Sequence, residues 1–444
     1  MKQIPKRSEV PTALTWDLTT IFPDEAAFKT AIAAIKAQTT VVAGLKGQLA
    51  QSGVALYRVT TAVFDLNRQL ERVYVYASLN NDQDTGNAAA QALMGQAESL
   101  VATVGAATAW FEPEVLALSA DQLQTLIDND PRLADYQHVF DVLGQQRAHT
   151  LSVAEEKLLA GASDIFGASA KTYSVLSDAD LKFPVVQDEA GNDVRLSEGL
   201  YGVLLQSTTP RVRQQAFEAL YSVYQQFRHT FAATLASEVK THNFSAETRH
   251  YASARAAAMS RNNVPAVVYD TLVETVNDHL DSLHRYVNLR KEILALPQLH
   301  MYDLYTPITG EPSLKYTYQE AQEMALKALA VLGPDYTANV QKMFDGRAID
   351  VVENQGKRTG AYSGGMYDTK PYILLNWQDS LESLFTLVHE MGHSMHSHYT
   401  RTNQPYQYGD YSIFVAEIAS TTNENLLTDY LLKTQTDPHV RAYV

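Results

Sequence analysis

Phe385-Thr-Leu-Val-His-Glu-Met-Gly-His-Ser394 places His389, Glu390 and His393 in the order H-E-x-x-H. On a helix, residues four apart lie one turn above each other on the same face. Two imidazoles so placed reach one divalent metal, with Glu390 beside them to take a proton from bound water. The pattern is short, so its surroundings decide its meaning. Upstream, Ala361-Tyr-Ser-Gly-Gly-Met-Tyr-Asp-Thr-Lys-Pro-Tyr-Ile-Leu-Leu-Asn-Trp377 reads as a glycine turn feeding a strand. Asp379 or Ser380 then stands where a helix cap belongs. Strand, cap and metal helix follow one another directly.

A catalytic zinc takes three protein ligands and keeps one position for water. His396 shares the helix face of the pair but lies about 10.5 Å from His389 along the axis at 1.5 Å per residue. That is too far for one ion bonded at about 2.0–2.1 Å. The variant with a third histidine needs glycine and histidine where this chain has His396 and Tyr399. The remaining source is a carboxylate from a later helix. Tyr411-Ser-Ile-Phe-Val-Ala-Glu-Ile-Ala-Ser-Thr-Thr-Asn-Glu-Asn-Leu-Leu427 holds Glu417 between Ala416 and Ile418. A lone charge buried in an apolar turn needs a partner, and a metal is one, so Glu417 is expected as third ligand. Glu424, two turns on, is placed either to orient a ligand histidine through its other ring N–H or to face solvent. His396 and His398 read as packing or solvated residues, and Asp410 as a helix cap.

The strand Tyr372–Trp377 has two readings, an ordinary buried strand or an edge that pairs with an extended peptide. In the second, Tyr372, Leu374 and Asn376 contact substrate, and Gly364 and Gly365 let a backbone approach closely rather than only make a turn.

The 444 residues are 45% hydrophobic and 19% charged, with a balance of −15, enough chain for two to four core units. Without cysteine, disulfides, thiolate metal sites and cysteine nucleophiles are excluded, and any metal rests on His and carboxylate. The acidic balance argues against nucleic acid as a partner. No apolar run reaches the ~18 residues of a membrane span. The first residues, Met1-Lys-Gln-Ile-Pro-Lys-Arg7, lack the apolar core of a secretory signal.

Apolar spacing predicts helices over 23–51, 54–78 and 88–111, with capping signals at Ser119 and Ser152. Leu181–Leu196 reads as a β-hairpin and as the seam of an N-terminal lobe, 1–198, with the remainder, 199–444. Long helices are predicted over 212–240, 247–260, 265–296 and 318–332. An extended aromatic stretch is expected at 300–308, followed by a turn over Thr309–Pro312.

These residues, with Tyr408-Gly-Asp410, Thr15-Trp-Asp-Leu18, His149-Thr-Leu-Ser152, Leu181-Lys-Phe-Pro184, Asn262-Asn-Val-Pro265, Met301-Tyr-Asp-Leu-Tyr305 and Gly360-Ala-Tyr-Ser-Gly-Gly365, make the whole chain resemble oligoendopeptidase F, of the thimet-oligopeptidase-like zinc metallopeptidases. The resemblance implies a mainly α, two-lobed body with a small β-sheet next to the metal helix, enclosing a deep channel that admits short peptides. It implies one Zn2+ held by His389, His393 and Glu417, Glu390 as general base, and a cytoplasmic enzyme cleaving oligopeptides internally. Members of the family continue past position 444, and the further segment supplies tyrosine and histidine groups to the oxyanion. A truncated chain is therefore expected, with Tyr406, Tyr408 and Tyr411 as local substitutes. The alternative is an impaired form that binds zinc and peptide without turnover.

Overall fold

The computed structural model describes residues 4–310 and 314–444; of the expected turn at 309–312, Glu311 and Pro312 lie outside them. The N-terminal helices form where caps and apolar spacing coincide. Asp24 accepts the Ala27 N–H at 2.8 Å and opens Glu25–Ala43, which buries Phe28, Ile32, Ile35 and Val42. Ser52 caps Gly53–Asp82, and Asn87 caps Ala88–Thr108. Both expected capping boxes are present, Ser119 with Gln122 and Ser152 with Glu155. The hairpin pairs β1 (Val185–Gln187) with β2 (Asp193–Arg195), and Gly191 takes the positive φ of 80° that its turn requires.

The long helices beyond it break at other places than apolar spacing predicts: the expected gap between 240 and 247 is closed within Arg228–Thr248, and other breaks appear instead. The observed elements are Pro210–Gln226, Arg228–Thr248, Ala254–Ser260, Ala266–Asp278 and Leu280–Ile293. The breaks fall at Phe227, at the positive-φ His250 and at His279. None is a Pro or Gly, so the spacing runs straight through them. The stretch from His300 is not extended: Met301–Asp303 is a 3-10 turn. Buried Asp303 closes it, accepting from the His300 N–H and pairing with Arg213.

Three strands make the second sheet: β3 (Ile349–Val352), β4 (Tyr362–Gly364) and β5 (Tyr372–Trp377), in the order β3-β5-β4. β3 runs parallel to β5 and β4 antiparallel to it. β5 is therefore the centre of the sheet, and the reading of it as a free edge is corrected. Its successive side chains leave by opposite faces. Tyr372 and Leu374 join the core of the N-terminal helices, whereas Ile373 and Leu375 join the core built from residue 316 onward. The sheet is the wall that both halves of the chain pack against.

Candidate metal centre

The helix Leu381–Asn403 follows β5 after a three-residue gap. Ser380, not Asp379, caps it by accepting the Ser383 N–H at 3.0 Å; Asp379 instead accepts from the Trp377 indole. Leu384, Leu387, Val388, Met391 and Met395 are buried and fix its back. Its other side meets the helix Ile413–Thr434, whose cap is Ser412 rather than Asp410. The two helices touch at Gly392, where an added Cβ would lie 2.7 Å from the Ser420 Cα. No larger residue fits that crossing with the backbones as they stand.

This crossing brings three ligand atoms together. His389 Nε2 and His393 Nε2 are 3.2 Å apart, and Glu417 Oε2 lies 3.4 Å from each. Donors of a tetrahedral centre bonded at about 2.0–2.1 Å stand roughly 3.3–3.4 Å apart, so the triangle fits a divalent metal of zinc's size. His389 Nδ1 faces Glu424 Oε1 at 2.6 Å, which fixes the ring with Nε2 toward the triangle. Burial lowers the pKa of His393, favouring the neutral form that ligates. The hydroxyl of Ser420 donates to Glu417 Oε2 at 2.7 Å and holds that carboxyl below its ordinary range.

Glu417 is not the buried charge that Ala416 and Ile418 beside it suggest, and that expectation is corrected. Its side chain is 62% exposed, and Ile413, Phe414 and Ile418 around it are exposed as well. The turn is apolar in composition but covered by nothing among the described residues. Glu390 is buried, and that burial, reinforced by the Glu417 charge, pushes its carboxyl up to about 7 against the opposing influence of His389 and the Ser363 N–H. Ser363 belongs to β4, which is an edge strand and faces the metal helix; its hydroxyl also contacts Ser394 at 2.8 Å.

The expected peptide contacts divide. Tyr372 and Leu374 are fully buried in the sheet's core and are corrected to structural residues. Asn376 donates to the carbonyls of Arg358 and Gly360 at 3.0 and 2.8 Å and lines a cleft of about 740 Å³. This cleft runs from Thr386, one turn before Glu390, past Gly360 and Glu353 to Leu181 and Phe183 before the hairpin and Tyr224 of the helix Pro210–Gln226. Gly364 ends β4, and Gly365, at φ 124°, gives its carbonyl to Arg401 at 2.8 Å. His396 stays outside the ligand triangle, as its axial offset requires, and stacks on Tyr411 at 3.6 Å. Tyr406 bonds Glu71 at 2.8 Å and Tyr408 packs on His138, so both hydroxyl-bearing rings are committed elsewhere.

Ser363, Gly392 and Ser420 escaped the sequence reading. Ser420 had a signal, since it sits one turn after Glu417. Gly392 and Ser363 had none, because each matters through an element distant in sequence.

The profile of peptidase family M3 matches residues 203–442, and that of the N-terminal region of oligopeptidase F matches 114–183. The chain is 46% identical to oligopeptidase PepF of Bacillus subtilis over 442 residues, covering all of this chain and 66% of that protein. It is 47% identical to group B oligopeptidase PepB of Streptococcus agalactiae, over 96% of this chain and 71% of the relative. The crystal structure of oligoendopeptidase F from Enterococcus faecium superposes with a TM-score of 0.72 at 45% identity, over 94% of this chain and 70% of that one. The chain thus spans roughly two thirds of the length of these relatives. On sequence and on structure alike, it belongs to peptidase family M3.

Proposed function

We propose that this chain is a zinc-dependent endopeptidase that hydrolyses internal bonds of short peptides. One observation carries the reading: three ligand atoms of His389, His393 and Glu417 at tetrahedral spacing, with a buried carboxylate, Glu390, adjoining them. The names of the relatives, oligopeptidase and oligoendopeptidase, support the substrate class. When bound, zinc polarises a carbonyl and lowers the pKa of a water molecule. Glu390 takes the proton of the attacking water and delivers it to the leaving amine, a role suited to a carboxyl raised toward neutrality by burial. Glu424 holds His389 in the ligating tautomer. The unpaired edge of β4, which ends at Gly364 just before Gly365, offers backbone groups to an extended peptide, which then enters the cleft lined by Asn376. Residues 1–198 and 199–444 form the two lobes around it. We place the protein in the cytoplasm; no helix among the described residues is long and apolar enough to cross a membrane.

Replacing Glu390 by Gln tests the assignment. Zinc content is expected to hold while peptide cleavage falls about 10²–10⁴-fold, the usual weight of general acid–base catalysis. Unchanged cleavage would sink it.

A second reading, zinc and peptide binding without turnover, draws on Tyr411. Of the three tyrosines proposed as substitutes, Tyr411 has its hydroxyl against the metal helix, 3.0 Å from the Ser397 hydroxyl and 3.4 Å from the His393 carbonyl. A quenched octapeptide incubated with and without chelator separates the two: chelator-sensitive cleavage supports the enzyme, and binding without cleavage supports the impaired form.

A further inference from the structure

The position of Glu417 poses a physical problem. A metal ligand must be held to within a few tenths of an ångström, yet the outer face of this helical turn is covered by nothing among the described residues, and on its inner side the Ala416 backbone bonds the His393 side chain. Ile413, Phe414, Val415 and Ile418 are exposed, and the first buried residue of the helix is Ser420. Downstream, the Gly392–Ser420 crossing fixes the helix. Upstream, the Ala416 bond to His393 is joined by the residues preceding the helix.

Those residues carry a clasp. The ring of Tyr411 stacks on His396 with centroids 3.6 Å apart and planes 12° from parallel. Its hydroxyl contacts the Ser397 hydroxyl and the carbonyl of His393, itself in the ligand triangle. Ser412, the helix cap, also bonds Asn262 at 2.6 Å. His396 Nδ1 is buried without a hydrogen-bond partner. An imidazole left partly unpaired in this way is used for its face rather than its nitrogens, because an orphaned buried polar atom is a cost that only packing offsets.

We propose that His396 and Tyr411 are positioning residues for the metal: their stacked rings lock the start of the Glu417 helix onto the metal helix and set the reach of the Glu417 carboxylate. The inference rests on the zinc reading above and concerns affinity, not chemistry. His396 touches neither the ion nor the substrate; it acts through Tyr411 on Glu417.

Zinc affinity of the full chain, measured by competition with a chromophoric chelator, tests this without any peptide. His396→Ala is expected to weaken zinc binding about 10–100-fold, as loss of a group that orients a ligand does. His396→Phe keeps a flat ring over Tyr411 and is expected to restore affinity close to that of the unsubstituted chain. Tyr411→Ala approaches the same stack from the loop and should lose as much as His396→Ala, whereas the double substitution should lose little more than either alone. Tyr411→Ala also carries the test if His396→Ala does not fold. Equal affinity in the alanine variants overturns the proposal, and so does a His396→Phe loss as large as that of His396→Ala, which would assign the effect to an imidazole nitrogen. Failure of the unsubstituted chain to bind zinc overturns the metal reading itself, a distinct result.

Discussion

Ser420 and Glu424 each touch one member of the ligand triangle without belonging to it. The Ser420 hydroxyl stands 2.7 Å from Glu417 Oε2, the oxygen that faces the histidines, and Glu424 stands 2.6 Å from the distal nitrogen of His389. Because Glu417 is largely exposed, the Ser420 bond is what limits its side chain to the rotamer that faces the histidines. Ser420→Ala is therefore expected to lower zinc affinity about tenfold, and Glu424→Ala about 10–100-fold, each read by chelator competition. Cleavage measured at saturating zinc should change far less in Ser420→Ala than the affinity does. At this scale much was legible. The four-residue spacing of His389 and His393 and the seven-residue spacing of Glu417 and Glu424 follow helix geometry, which needs no tertiary knowledge. What misled was composition: Ala416 and Ile418 suggested burial around Glu417, whereas a helix end can be apolar and still uncovered.

Two helices and a strand bring these residues together, and their mutual placement was only partly legible. The metal helix announced itself through Ser380 and its buried leucines. The sheet did not, because β3 is the short run Ile349-Asp-Val-Val352 with an aspartate inside it. Without β3, β5 looked like an edge, although Tyr372-Ile-Leu-Leu375, apolar on both faces, is the pattern of a strand buried on both sides. The crossing of the two helices depends on Gly392. A methyl there would meet the Ser420 Cα at 2.7 Å and the Ala419 carbonyl at 2.8 Å, which are backbone atoms that cannot swing aside. Gly392→Ala is expected to cost about 1–3 kcal/mol of stability by overpacking. The helices can only relieve the clash by parting, so zinc affinity should fall by more than tenfold. Urea unfolding and chelator competition on one preparation check both, and a variant as stable and as tightly metallated as the parent would refute the crossing's role.

Across the whole molecule, the N-terminal strap from Ile4 to Phe22 ties the first residues to the sheet that supports the metal helix. Arg7 reaches both oxygens of Asp350 on β3, 343 positions away, and also Gln83; Arg347 bonds Thr15, and Tyr372 bonds the Asp17 carbonyl. Asp350 and Lys357 are fully buried and 2.7 Å apart. This long-range pairing is why β3 was illegible: Asp350 reads as a polar interruption until Arg7 and Lys357 are seen to neutralise it. Burial acts to raise the pKa of Asp350, but the hydrogen bonds from Arg7 and the charges of Lys357 and Arg7 outweigh it, so the carboxyl sits below its ordinary value. A carboxyl lowered by folding contributes stability that is fully present above its unfolded value, about 3.9. That stability is lost as pH falls through the folded value. Arg7→Met leaves Lys357 as the remaining partner, so the folded value should move back toward the ordinary one and the contribution should shrink. The expected loss near neutrality is about 2–4 kcal/mol, somewhat below that of stripping a buried charge of every partner. The acid-unfolding midpoint should shift to higher pH, and the gap between variant and parent should narrow below about pH 4, where Asp350 is increasingly protonated in both. Urea midpoints followed from pH 3 to 7 measure this directly. A gap that stays constant across that range would mean that Arg7 stabilises the strap by packing alone and that Asp350 is not the group through which acid loosens the fold.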